Sequence, residues 1–324
     1  MDDFEIVDVH THLARSMSEE EDRMVIPGRR RRDRWATPET ALSFMDWEGI
    51  SKAVVLHLPP LPPRELRMEA EREKLSQLRS SQRDKLERIT WQTDKIIRDF
   101  NKWGCEVGKT FPRLIPFICL APDLGDSESI VKELLLGVDH GAKGVKLHPG
   151  VFYFLPADER LWPMYQKCQD LGLPILADSA PWPGFHVLNG WRVQTFEKKV
   201  QYGEPANFAK ILDRFPQLTL ILAHLGSAWW DERVELAMRY PNVYFDTSQG
   251  FTSPDQIPYS PHRGLAEEDA VRIIRKIGVE RVMFGSDGPA HDRLPQLEQI
   301  LRLPLDDREK QLILSGNAKR ILHI

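Results

Sequence analysis

Two histidines one residue apart lie near the start of the chain, in Asp8-Val9-His10-Thr11-His12. Side chains two apart on a strand share a face, so both imidazoles can converge, and neutral imidazole is a common ligand for zinc and related metals. Gly285-Ser286-Asp287-Gly288 follows the apolar Val282-Met283-Phe284. A carboxylate placed there can ligate a metal or take a proton from water. His224 closes the apolar run LTLILA and precedes a glycine, a setting for an acid/base or a ligand. In Gly144-Val145-Lys146-Leu147-His148, Lys146 and His148 share a face. A lysine pointing inward is costly unless paired, neutral or modified. It can hold a substrate carboxylate, bridge two metals as a carbamate, or pair with a neighbouring acid.

Asp178 ends the run PILA. It is a hard ligand suited to zinc, manganese or iron, or else the start of an Asx turn. His57, His186, His262 and His291 read as loop histidines. Of these, His186 and His291 have the best claims on the rim of a site, being eight residues past Asp178 and four past Asp287. Arg192, like Lys146, can take a carboxylate. Trp182 and the neighbouring loop aromatics, with Phe152 and Tyr153, either wall a pocket for a flat acid or pack the rim.

These residues need a frame that brings strand ends together. Eight short apolar runs read as strands: Phe4–Val9, Ala53–Leu56, Leu114–Cys119, Gly144–Leu147, Pro174–Ala177, Leu218–Ala223, Val243–Phe245 and Arg281–Phe284. Several are apolar without alternation, as expected of strands covered on both faces. Helical patterns separate most of them. Thr37 is an N-cap with Pro38 behind it, and Gly172, Pro216, Pro241 and Gly278 are stops. Strand and helix in alternation favour a (β/α)8 barrel over an open doubly wound sheet. The expected organisation is one barrel over residues 1–324 with a helical insertion, residues 61–106, after the second strand. Outside that segment the chain is close to the roughly 250 residues of one barrel.

Composition narrows the partners. The 324 residues are 41% hydrophobic and 28% charged, with 44 Lys+Arg against 48 Asp+Glu and a formal charge of −4. That balance offers no basic field for nucleic acid, and no apolar run approaches the roughly 20 residues of a membrane span. Cys105, Cys119 and Cys168 are an odd number without close pairing, which points to reduced thiols and a cytoplasmic setting. A small-molecule substrate is expected, and the sequence is compatible with a homodimer.

In this order the motifs VDVHTHL, GAKGVKLHP, DERLWPMYQKCQDLGLPIL, FPQLTLILAHLG, PNVYFDTS, VERVMFGSDGP and ILSGNAKRIL resemble the amidohydrolase superfamily. The likeness is to its amidohydrolase 2 branch, which holds aminocarboxymuconate-semialdehyde decarboxylase-like enzymes beside lactone and other hydrolases. The resemblance implies metal ligation by His10, His12 and Asp287, with His224 as acid/base or electrostatic partner. On strand four, Lys146 and His148 would supply a bridging ligand or a substrate contact. The branch usually places a histidine where PILADSAPW has Asp178. An anionic ligand there lowers Lewis acidity and favours harder metals.

The expected cofactor is one divalent ion, zinc first with manganese or iron as alternatives, and a second metal stays open. The first functional reading is hydrolysis of an amide, ester or lactone of a small organic acid by metal-activated water. The alternative is non-oxidative decarboxylation of an aromatic or enoic acid. An iron-dependent oxidative enzyme and a non-catalytic binding barrel complete the set.

Overall fold

A computed structural model describes residues 4–16, 37–59, 83–180, 184–188, 191–195, 202–225, 229–248, 266–289 and 293–324; for 83–92 and 184–195 it describes the backbone alone. The chain opens with β1 (Ile6–Thr11). Helix α1 (Pro38–Glu48) follows, held by a Thr37/Thr40 capping box and ended by left-handed Gly49. β2 (Ile50–Leu56), α2 (Arg83–Thr110), β3 (Leu114–Cys119), α3 (Ser127–Asp139) and β4 (Gly144–Leu147) continue the alternation. Next come α4 (Trp162–Leu171), β5 (Ile175–Ala177), β6 (Gly184–Leu188), β7 (Trp191–Thr195), α5 (Ala209–Arg214) and β8 (Leu220–Leu222). The last elements used here are α6 (Trp230–Arg239), β9 (Val243–Asp246), α7 (Glu267–Ile277), β10 (Val282–Met283), α8 (Arg293–Arg302) and the terminal α9 (Asn317–Leu322).

Eight parallel strands run in the order β1-β2-β3-β4-β5-β8-β9-β10 and form a single-domain (β/α)8 barrel, as the sequence predicts. The first and last strands meet at a seam. Val9 N–H donates to Phe284 O (2.9 Å), Asp287 N–H to His10 O (2.8 Å) and His12 N–H to Gly288 O (2.7 Å). Inside the barrel pack Val7, Val9, Val54, Leu56, Phe117, Leu176, Ile221 and Met283, and α9 closes the floor with Ala318, Ile321 and Leu322. A larger apolar layer lies between the strands and the surrounding helices. Stability therefore comes from the two faces of one sheet, which leaves the strand ends to carry polar groups.

Two findings go beyond the sequence reading. Within the 61–106 segment, α2 does not stand apart from the barrel. Its Ile97, Phe100 and Cys105 are buried, and the first two of the cysteine's neighbours in the layer, Ile118 and Leu134, come from β3 and α3. The helical part from Arg83 is thus the helix that joins β2 to β3, while residues 60–82 lie outside the described ones. Second, β6 and β7 form an antiparallel hairpin after β5, where a plain loop was expected.

Candidate metal and acid site

The C-terminal strand ends bring most of the predicted residues together. His10, His148, Asp178, His224, Asp287 and Lys146 are all buried, and His12 is partly so. On one side His12 Nε2 lies 3.2 Å and His10 Nε2 3.6 Å from Asp287 Oδ1. Among the described residues this is one of two groups with metal-ligand geometry; the other is His10, His224 and Asp246.

Hydrogen bonds behind the rings decide which nitrogen faces inward. His10 Nδ1 lies 2.8 Å from Asp246 Oδ2, and His12 Nδ1 lies 3.0 Å from the Leu56 carbonyl oxygen. Both partners can only accept, so each ring commits its Nδ1 proton there, and a neutral ring then presents a bare Nε2. Two bare imidazole nitrogens and a carboxylate oxygen facing one another repel unless a cation lies among them. The fixed tautomers, each held by an outer partner, are those of metal-ligating histidines. The residues therefore fit a divalent metal, with His10, His12 and Asp287 as holders. Burial, with the Lys146 charge nearby, pushes His10 down to about 4 against the pull of Asp246. It stays neutral, as a ligand must.

His224 is arranged the other way. Its Nε2 lies 2.9 Å from Asp178 Oδ2 and its Nδ1 2.8 Å from Ser248 Oγ. The Ser248 hydroxyl donates to Asp246 Oδ1, so its oxygen can only accept from His224 Nδ1–H. Asp178 as a carboxylate also only accepts. Both ring nitrogens must then donate, and His224 is an imidazolium. Burial alone would depress this ring, but the hydrogen bond to Asp178 and the charges of Asp178, Asp287 and Asp246 raise its pKa overall. Burial would likewise raise Asp178, but His148, His224 and Lys146 hold its carboxylate well below the usual range. His148 Nε2 stands 3.5 Å from the same Oδ2, and its Nδ1 accepts from Val151 N–H. Burial pushes it down to about 3, so His148 is neutral. Asp178 thus sits between two histidines and belongs to neither metal-ligand group.

The backbone is shaped for this. His224 and Asp287 both have left-handed φ, 64° and 58°, unusual for residues with a side chain and frequent where function over-determines a turn. The His224 and Ser248 amides both donate to Asp246 Oδ1, at 3.0 Å each. Arg233 reaches in from α6 and donates to Ser179 Oγ (2.9 Å), Ser179 O (2.6 Å) and Ala223 O (3.1 Å). It ties together the strand ends that carry Asp178 and His224. Beneath the metal group, Asp8 accepts from His10 N–H and Ser286 N–H at 3.1 Å each, and it pairs with buried Arg293 at 2.9 Å.

Sequence reasoning missed Asp246 and Ser248, although the end of PNVYFDTS is a strand end like the others. His57 is buried against Phe100 and Trp103, with ring centroids 6.1 and 5.9 Å away. His186 and Arg192 lie on β6 and β7, where only the backbone is described. Trp182 and His291 fall outside the described residues. Of the expected aromatics, Phe152 is buried and Tyr153 stacks edge-on at 5.5 Å with Tyr202. No helix among the described residues is long and apolar enough to cross a membrane.

A barrel with His10, His12 and Asp287 at one seam and a charged histidine beside it defines a class of metal-dependent barrel enzyme. The family profile described as Amidohydrolase, of the amidohydrolase 2 branch, matches residues 7–324, and the chain belongs to that family. Solved structures share the fold at low identity. A TIM-barrel protein from Bordetella bronchiseptica aligns at TM-score 0.67 and 20% identity, over 98% of both chains. A dihydroxybenzoic acid decarboxylase from Polaromonas sp. JS666, with bound manganese and 2-nitroresorcinol, aligns at 0.64 and 16%, over 99% of this chain and 97% of that one. A 2-pyrone-4,6-dicarboxylic acid hydrolase from Acinetobacter baumannii aligns at 0.58 and 14%, over 98% and 99%.

Proposed function

We propose that this enzyme is a metal-dependent carboxy-lyase that removes carbon dioxide, without oxidation, from a small aromatic or enoic acid. The observation that carries this reading is the double commitment of His224, whose two ring nitrogens both donate, to Asp178 and Ser248. Non-oxidative decarboxylation needs a proton for the carbon that loses its carboxyl group, and His224 stores one at neutral pH. A bound divalent metal would supply Lewis acidity towards the oxygens of the substrate.

The rest of the work falls to the chain. As the carbon–carboxyl bond breaks, its electron pair stays on the ring or alkene carbon, and the His224 proton closes the new C–H bond. Asp178 stabilises the charged histidine before transfer and re-forms it afterwards by favouring proton uptake from solvent. His148, neutral and 3.5 Å from Asp178, fixes that carboxylate from its other side. In this reading Asp178 is the counter-ion of His224, and the metal is held by His10, His12 and Asp287. Zinc, manganese and iron all accept two imidazoles and a carboxylate, and the manganese in the Polaromonas enzyme supports testing that ion beside zinc.

Hydrolysis of a lactone or ester is the second reading. It is supported by the placement of Asp287, whose carboxylate faces both ligand rings and suits a base for water. Assay of a panel of hydroxylated benzoates and enoic acids in heavy water decides between them. Carbon dioxide release with one deuterium at the vacated carbon is expected, and ester or lactone cleavage without carbon dioxide would overturn it. The three cysteines are buried and free, which supports a reducing, cytoplasmic setting.

A further inference from the structure

Lys146 stands on β4 with its side chain turned into the barrel, one layer below His148. It is 1% exposed, and its Nζ has no hydrogen-bond partner. Its charge is felt by His10, His148 and Asp178, and it feels Asp178, Asp246 and Asp287 in turn. The ammonium therefore lies at the floor of the site, between the metal group and the acid pair. None of those carboxylates is bonded to it. Asp178 is taken by His224 and His148, Asp246 by His10, Ser248 and two amides, and Asp287 by the two ligand rings.

A buried ammonium with three unused donors is expensive, and an apolar side chain of similar length would pack there at no such cost. The sequence keeps the charge where it contributes least to the fold. Charge balance says what it serves. Asp178, Asp246 and Asp287 bring three negative charges; the His224 imidazolium, Lys146 and a divalent ion bring four positive ones. One positive charge is left over, which a single monoanion would close.

We infer that Lys146 is the floor contact for the anionic group of the substrate, so that the site selects singly charged organic acids over their uncharged isosteres. This rests on the carboxy-lyase reading for the identity of the acid, but not for its binding. No bond is made or broken in this role. Lys146 sets affinity, and the charged contact is worth about 10- to 100-fold in binding.

The test uses benzoate and its uncharged isostere benzamide as probes, with calorimetric titration of metal-free and metal-loaded protein. In both forms the wild type is expected to bind benzoate and to bind benzamide at least tenfold more weakly. Lys146→Met is expected to lose that preference with its metal content and circular dichroism unchanged, and Lys146→Arg to keep part of it. Should Lys146→Met fail to fold, Lys146→Gln serves the same comparison. Equal benzoate affinity in a folded uncharged variant would overturn the inference, as it would if water alone satisfied the ammonium. A wild type indifferent to the charge of the probe would overturn it equally. Lys146-dependent benzoate binding without carbon dioxide release from any acid would leave the inference standing and sink the reaction assigned above.

Discussion

His224 Nε2 and Asp178 Oδ2 lie 2.9 Å apart at the ends of neighbouring parallel strands, both side chains buried. Removing the charge without changing the shape isolates what the pair does. Asp178→Asn leaves His10, His12 and Asp287 untouched, so metal content measured by elemental analysis should stay at the wild-type level. Turnover should fall about 10²- to 10⁴-fold, the usual weight of a general acid. Loss of the metal in Asp178→Asn would instead make Asp178 a ligand.

Asp246 holds the other histidine. An amide can keep the Oδ1 contacts to the His224 and Ser248 backbone but turns an NH2 towards His10 Nδ1, where a proton already points. Asp246→Asn should therefore flip or tilt the His10 ring and weaken metal binding about 10- to 100-fold, as outer partners of metal ligands do. Competition with a chromogenic chelator reads this directly. Gly285→Ala should act in the same direction, because a β-carbon there would meet His10 Cβ at 2.9 Å and Asp246 Cγ at 3.2 Å.

Arg233 separates positioning from chemistry. Arg233→Leu abandons the Ser179 and Ala223 acceptors, each costing about 1–3 kcal/mol when left buried and unpaired. Thermal denaturation should show a clear loss of Tm. Arg233→Lys, which restores one or two of the bonds, should regain much of the stability but lag in kcat, with KM near the wild-type value. A matched recovery of both would limit Arg233 to the fold.

The pH dependence of stability follows from the buried rings. His10 at about 4 and His148 at about 3 sit below the ordinary value near 6.5. Between these limits the unfolded chain binds protons that the native state refuses, so stability rises with pH. Their contribution is complete above about 6.5 and is lost as pH falls towards 4. His224, raised, contributes in the opposite sense: fully below about 6.5, and lost as pH climbs through its folded value. With two rings against one, the Tm of metal-free protein should drop between pH 6.5 and 4, and His148→Asn should flatten that drop. A Tm constant across the interval would contradict the assigned protonation states.

The barrel was legible because each strand is a short apolar run ending in a polar residue, and His10, His12, Asp178, His224 and Asp287 all occupy such ends. Asp246 escaped notice because its strand, VYFD, closes on a residue that also reads as an ordinary turn former. Its role appears only when β9 is laid beside β8 and across from β1. The protonation of His224 was equally hidden, since it depends on which atom Ser248 donates to. The 61–106 segment misled for another reason. A polar, weakly amphipathic stretch looks detachable in one dimension, and only packing reveals that Ile97, Phe100 and Cys105 reach the common core.

The seam between β1 and β10 has a consequence for how the molecule matures. His10 and His12 emerge from the ribosome almost first and Asp287 almost last, and they meet only when the ring shuts through Val9, Phe284 and Gly288. Contacts of such sequence separation form late, so a growing chain has two imidazoles to offer a cation but no way to enclose it. Once shut, an ion shared by those three side chains acts as a clasp across the weakest join of the cylinder. Metal supply would then set how long the folded protein lasts as well as how fast it works.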